Sequence, residues 1–145
     1  MNRLLRIRTG RQGHELFVVI ATALLGVAGT ISPEAVAISA ASVLPFPWAV
    51  VYWAAMIICS LITLRGIFDK RIDGLLTERA GLILLTVLFG VYAYTCLEYA
   101  GLGGLGSATL PMAFALANIY RCRQIGQDLI LIQAYLKDHP EEQVR

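Results

Sequence analysis

The residues that could do chemistry in this 145-residue chain are few and scattered. The two histidines, His14 and His139, have no partner at metal-ligand spacing. The chain has no Ser-His-Asp set, no nucleotide-binding motif and no pair of carboxylates within one apolar segment. The cysteines are odd in number and form no C-x-x-C pair; they are Cys59, Cys96 and Cys122. These absences predict a protein that is not an enzyme and that uses no metal or cofactor.

Two side chains stand out because of their surroundings. Glu98 lies near the end of an apolar segment, where an ionisable group is a candidate proton or cation site. The interpretation that we favour is a carboxylate that reaches water at the level of the lipid headgroups, since no basic partner stands on that side. Cys122 stands between Arg121 and Arg123, which are expected to lower the pKa of its thiol. That position suits palmitoylation as well as simple packing.

The composition excludes most soluble proteins. Hydrophobic residues make up 57% of the chain and charged residues 15%, with a mean hydropathy of +0.67. A typical soluble domain has about 45–50% apolar and about 25% charged residues. A chain of this length could not bury so much apolar surface and keep a polar exterior. The net charge of +2 gives no reason to expect nucleic acid binding.

Four apolar segments predict membrane-spanning helices, because a span needs about 20 mostly apolar residues. The expected fold is therefore an all-α integral membrane bundle of four transmembrane helices. The first segment follows a basic leader and is longer than the apolar core of a usual signal peptide, which favours a retained span. The predicted spans cover residues 16–31, 48–64, 81–99 and about 105–120.

The basic residues give this bundle an orientation. Connections 32–47 and 100–104 contain no Lys or Arg. The positive-inside bias therefore places both termini in the cytoplasm and the protein in the cytoplasmic membrane. All twelve basic residues fall into three blocks: Arg3, Arg6, Arg8 and Arg11; Arg65, Lys70, Arg71 and Arg79; and Arg121, Arg123, Lys137 and Arg145.

Three segments outside the spans are also expected to be helical. Ser32-Pro33-Glu34 is typical of a helix start, which predicts a short interfacial or re-entrant helix on the outer side. Loop 65–81 is either a helix on the membrane surface or a plain hairpin connection. Residues 1–120 form the predicted transmembrane domain, and residues 121–145 form a cytoplasmic amphipathic tail. That tail extends the fourth span, lies at the interface or associates with itself through Ile125, Leu129, Ile132 and Leu136.

Contacts with lipid and with other helices follow from residue type. Basic residues at the inner side are expected to contact anionic inner-leaflet lipids; they are Arg65, Lys70, Arg71, Arg121 and Arg123. Small residues four apart let helix backbones approach closely, either within one bundle or between copies in a homo-oligomer. They are Thr22, Gly26 and Thr30, then Thr86 and Gly90, and then Ala113 and Ala117. Asn118 can hydrogen-bond across helices.

The layout resembles small four-span membrane proteins of phages, including some holins. The shared features are a basic leader, four spans with both ends inside, and Glu78-Arg79-Ala80-Gly81 at the start of the third span. A basic amphipathic tail completes the likeness, here with Arg121, Arg123, Gln124, Ile125, Asp128 and Leu129. The resemblance covers most of the chain in layout. It implies oligomerisation in the cytoplasmic membrane and timed permeabilisation of that membrane.

Three hypotheses of function follow. The first is a holin-like oligomeric pore former. The second is a non-catalytic accessory or interaction subunit of a larger membrane complex. The third is a small cation or proton transporter that uses Glu98.

Overall fold

The computed structural model describes residues 13–36, 42–69 and 71–138, and this part of the chain contains helices and no strand. The all-helical prediction is confirmed. The helices are α1 (Gly13–Ile31), α2 (Pro33–Val36), α3 (Trp48–Phe68), α4 (Ile72–Ala100) and α5 (Leu105–Asp138), with a 3-10 turn at Gly101–Gly104 between the last two.

Two helical stretches are long and apolar enough to cross a membrane. One is α3, and the other is Ile72–Tyr135, which contains α4, the Gly101–Gly104 turn and most of α5. A shorter apolar helix covers Glu15–Ile31.

The long helices pack in chain order, each antiparallel to the one before. Gly66 of α3 lies against Glu78 of α4, and further along Thr63 lies against Gly81. The same reversal joins α4 to α5. The rings of Phe89 and Phe114 have centroids 5.6 Å apart, whereas the Cys122 thiol is 3.7 Å from the Arg79 carbonyl oxygen.

This order defines two ends of the bundle. The turn end contains Gly101–Gly104. The charged end contains the start of α1, the end of α3, the start of α4 and the part of α5 around Arg121.

Large side chains fill the space between α1, α3 and α4. Trp53 is completely buried, and its ring lies on Gly29 of α1, where no side chain intervenes. The Tyr52 hydroxyl donates a hydrogen bond to the Leu88 carbonyl oxygen at 3.0 Å. The buried core residues of this region are Tyr52, Trp53, Met56, Cys59, Leu85 and Phe89.

A second core shows that α5 does not end at the predicted tail boundary. The helix runs without a break from Leu105 to Asp138, so the boundary at residues 120 and 121 falls inside it. Ile125 and Ile132, from the predicted tail stripe, are buried against Leu75 and Leu82 of α4. The predicted tail is thus the second half of α5, and it packs on the start of α4.

The connections differ in how far the structure describes them. Loop 65–81 is a hairpin connection, because α3 runs to Phe68 and α4 starts at Ile72. The Asp69 carboxylate accepts a hydrogen bond from the Arg71 backbone N–H at 2.9 Å. On the other side, α2 begins directly after Ser32, but residues 37–41 of the predicted outer helix lie outside the described residues.

Glycine contacts make the packing of α3 on α4 directly testable. A Cβ atom added at Gly81 would overlap the Thr63 hydroxyl and lie 2.8 Å from the Thr63 backbone nitrogen. Gly81→Ala is therefore expected to lower the free energy of unfolding by about 1–3 kcal/mol, measured as a lower unfolding midpoint in detergent.

Gly90→Ala is the matched control on the same helix, since nothing lies within 4 Å of a Cβ atom there. It is expected to leave stability unchanged or to raise it by up to about 1 kcal/mol through helix propensity. Equal midpoints for the two variants would contradict the close approach of α3 and α4.

Candidate functional site

A carboxylate with no solvent exposure lies at the charged end of the bundle. Glu78 belongs to the second turn of α4, and its side chain is 0% exposed. It is covered because Gly66 brings α3 so close that an added Cβ atom would lie 2.6 Å from the Glu78 Cα. A charged group that is buried this fully needs a partner of opposite sign.

Arg121 of α5 supplies that partner. Its Nη2 is 3.0 Å and its Nε 3.2 Å from Oε1 of Glu78, so two donors meet one carboxylate oxygen. Its Nε is also 3.2 Å from Oε2 of Glu15 on α1. Gln124, one turn later, accepts from Nη1 at 3.5 Å. We call Glu15, Glu78, Arg121 and Gln124 the charge cluster.

The charge cluster joins helices that are far apart in the sequence. Glu15 and Arg121 are each 14% exposed, so the contact lies mostly out of water. An ion pair in such surroundings stabilises modestly, but loss of one partner leaves a buried charge and is strongly destabilising. The cluster therefore fixes how α1, α4 and α5 sit against each other at this end.

A cavity of about 350 Å³ extends from the charge cluster between α1 and α5. Its walls are mostly apolar, and its polar end holds Asn118, Glu15, Arg121 and Gln124. Asn118 is 8% exposed, and its Nδ2 has no hydrogen-bond partner among the described residues. An amide buried without a partner costs about 1–3 kcal/mol.

Two titratable groups lie beyond the cavity on α5. Burial raises the pKa of the Cys122 thiol above its usual value, although Arg79 and Arg121 act in the opposite direction. The flanking Arg121 does lower the pKa of the Cys122 thiol, as the sequence predicts, but desolvation is the larger effect and the net shift is upward. Burial also raises the pKa of Asp128, against the attraction of Arg121.

The predicted lipid-contacting arginines do not form one group. Arg65, Arg71 and Arg123 are exposed, whereas Arg121 points into the charge cluster. Arg121, predicted to contact lipid, instead pairs with Glu15 and Glu78 and is 14% exposed, and lipid contact by the exposed arginines stays a prediction. Lys70 lies outside the described residues.

The predicted ion site and the predicted threonines of the small-residue stripes do not belong to the charge cluster. Glu98 is exposed at the turn end, away from the charge cluster. The hydroxyls of Thr22, Thr30 and Thr86 donate to carbonyl oxygens of their own helices.

The small residues themselves have three different surroundings. Gly26 packs on Ile57 of α3, whereas Gly90 faces open space. Ala113 and Ala117 line the cavity.

Neither Glu15 nor Glu78 was predicted from the sequence as a site residue. A signal was present for Glu78, because Gly74, Glu78, Gly81 and Leu85 recur at a 4-3-4 spacing and all are buried. Glu15 carried no such signal, since it stands just before the first apolar segment. In the described part of the chain, no group of three side chains could hold a metal ion.

No protein-family model, no curated protein and no solved structure matches this chain. Function therefore has to be inferred from the charge cluster, the cavity and the surfaces of the helices.

Neutralising Glu78 tests the charge cluster. Glu78→Gln removes the buried negative charge and leaves Glu15 as the carboxylate within ion-pair distance of Arg121 among the described residues. The variant is expected to lose about 3 kcal/mol of unfolding free energy, near the low end for a broken buried pair because Glu15 remains.

Glu98→Gln removes the same charge at an exposed position and should leave the unfolding midpoint in detergent where it is. Equal unfolding midpoints for Glu78→Gln and Glu98→Gln would show that the buried charge of Glu78 does not stabilise the bundle.

Proposed function

We propose that this chain is a non-enzymatic integral membrane protein with four spans that binds a partner within the bilayer. The antiparallel order of α1, α3, α4 and α5 supports four spans. The arginines that the structure describes lie at the charged end, and the turn end has none. This distribution supports a cytoplasmic location for the charged end and for both termini of the chain.

The surface of the bundle supports a lipid environment. Large apolar side chains remain exposed on all four long helices, in the middle of their lengths as well as at their ends. Water would disfavour such a surface, whereas lipid chains would not. Examples are Phe17 and Leu24 on α1, Val51 and Ile58 on α3, Leu84 and Val87 on α4, and Leu110 and Leu116 on α5.

The main support for partner binding is the unpaired side-chain amide of Asn118. Its amide is buried at the end of an apolar cavity and lacks an acceptor within the described chain. A transmembrane helix of a partner, with a hydroxyl or a free carbonyl oxygen, would supply that acceptor. Hydrogen bonds between membrane helices are worth about 0.6–2 kcal/mol. The chain then acts as an interaction subunit of a larger membrane complex.

Site-specific photo-crosslinking in native membranes tests this proposal. A photo-reactive residue at Ala117, on the cavity wall, is expected to give a discrete adduct with another membrane protein. The adduct should weaken when Asn118→Ala is added. The control position is Ile58, which is exposed on α3 and should give lipid adducts. Lipid adducts at both positions would contradict a protein partner in the cavity.

A holin-like homo-oligomer is the second candidate, and the face of α4 around Gly90 favours it. Gly90 is exposed and has open space around it, with Thr86 one turn earlier, so a second copy could approach this backbone closely. We place it second because the exposed faces of the spans are apolar and offer little to line a water-filled pore. The transporter hypothesis gains no support, since Glu98 lies outside the cavity.

Induced expression in a bacterium tests the holin-like candidate. The unaltered chain should collapse the membrane potential abruptly, and Gly90→Ile should delay or abolish that collapse by blocking close approach. Cells that keep their potential and continue to grow while the protein accumulates in the membrane would exclude this candidate.

A further inference from the structure

A groove separate from the cavity lies between α4 and α5. It has a volume of about 270 Å³ and is lined at the charged end by Arg79 and Arg123. Ile83 and Val87 follow Arg79 at intervals of four residues on α4, and Ile119 stands four residues before Arg123 on α5. Residues four apart share one face of a helix. The groove thus has two cationic groups at one end and an apolar floor that runs from them toward the turn end.

Both guanidinium groups are available for a ligand. Arg79 and Arg123 are exposed, and neither forms an ion pair with a described residue. The Arg79 guanidinium lies beside α5, since a Cβ atom at Gly126 would be 3.8 Å from its Cζ. Arg121 differs, because Glu15 and Glu78 already take its donors.

We propose that this groove binds one anionic phospholipid of the inner leaflet, with its phosphate between Arg79 and Arg123 and an acyl chain along Ile83, Val87 and Ile119. Paired guanidinium groups suit phosphate because each presents several donors in a fixed plane. The apolar floor suits a hydrocarbon chain, whereas a free phosphate ion would make no favourable contact with it. This inference rests on the proposed membrane orientation, which puts the charged end at the cytoplasmic headgroups.

An acidic helix of a protein partner is the competing occupant. The groove favours a lipid because its arginines lie at the level of the headgroups and its floor continues into the span. A second copy of this chain bound symmetrically at the groove would bring like charges together, which is unfavourable.

Native mass spectrometry of the purified full-length protein in detergent, titrated with phosphatidylglycerol, measures the proposed binding. The unaltered protein should retain one phosphatidylglycerol more tightly than phosphatidylcholine. Arg79→Gln with Arg123→Gln should weaken phosphatidylglycerol binding by about 25-fold, since each arginine near an anionic surface contributes about fivefold. Val87→Trp, which fills the floor, should weaken binding of both lipids.

The matched control is Lys137→Gln, compared with Arg123→Gln alone, because both remove one positive charge from an exposed position on α5 but Lys137 lies outside the groove. Arg123→Gln should weaken phosphatidylglycerol binding by about fivefold. Lys137→Gln should keep at least half of the affinity. Equal loss in the control and groove variants would overturn the site in favour of general electrostatic attraction. If inorganic phosphate alone raises the unfolding temperature as much as phosphatidylglycerol does, the groove binds a phosphate ion and the proposed lipid site is wrong.

Two further outcomes separate this inference from the function on which it rests. If the protein resists carbonate extraction from membranes but binds phosphatidylglycerol and phosphatidylcholine alike, only the proposed lipid site is wrong. If carbonate removes the protein from membranes, the lipid site and the proposed membrane integration are both wrong. A discrete protein adduct from a photo-reactive residue at Ile119 would assign the groove to a protein partner instead.

Discussion

The contact of the Arg121 guanidinium with the carboxylates of Glu78 and Glu15 determines how the bundle is arranged at its charged end. A charge held away from water must meet its partner at hydrogen-bond distance, whereas apolar contacts tolerate sliding. Because these three residues come from α5, α4 and α1, their contact sets the relative position of three helices at once. The close approach of α3 to α4 at Gly66 keeps Glu78 away from water. The buried carboxylate of Glu78 therefore needs Arg121 as its partner.

The same arrangement gives α5 two different sides. Arg121 and Arg123 are two residues apart, which places them about 200° apart around the helix. Arg121 therefore turns inward to the carboxylates, and Arg123 remains outside beside Arg79. On one side of α5, Arg121 is paired with carboxylates, and the Asn118 Nδ2 beside it has no hydrogen-bond partner among the described residues. The other side presents free positive charge next to an apolar groove, and this asymmetry separates the two proposed binding surfaces.

Hydropathy and helix periodicity predict much of the fold. The start of α3 at Trp48 agrees with the predicted span, and the turn at Gly101–Gly104 falls where the sequence predicts a connection. The four-span topology stays a prediction. The charge cluster was not predictable from hydropathy, since Glu15 and Glu78 stand just outside the apolar segments that begin at Leu16 and Gly81. Gly26 and Gly90 have the same residue type but different neighbours, which only the packing reveals.

A double-mutant cycle between Glu78 and Arg121 measures whether their ion pair holds α4 and α5 together. Unfolding in detergent would be measured for Glu78→Leu, Arg121→Met and the double variant. The double variant is expected to be more stable than the sum of the two single losses allows, by about 0.5–3 kcal/mol, because no buried charge of the pair is left alone. A double variant that loses the full sum of the two single losses would show that the pair does not hold these helices together.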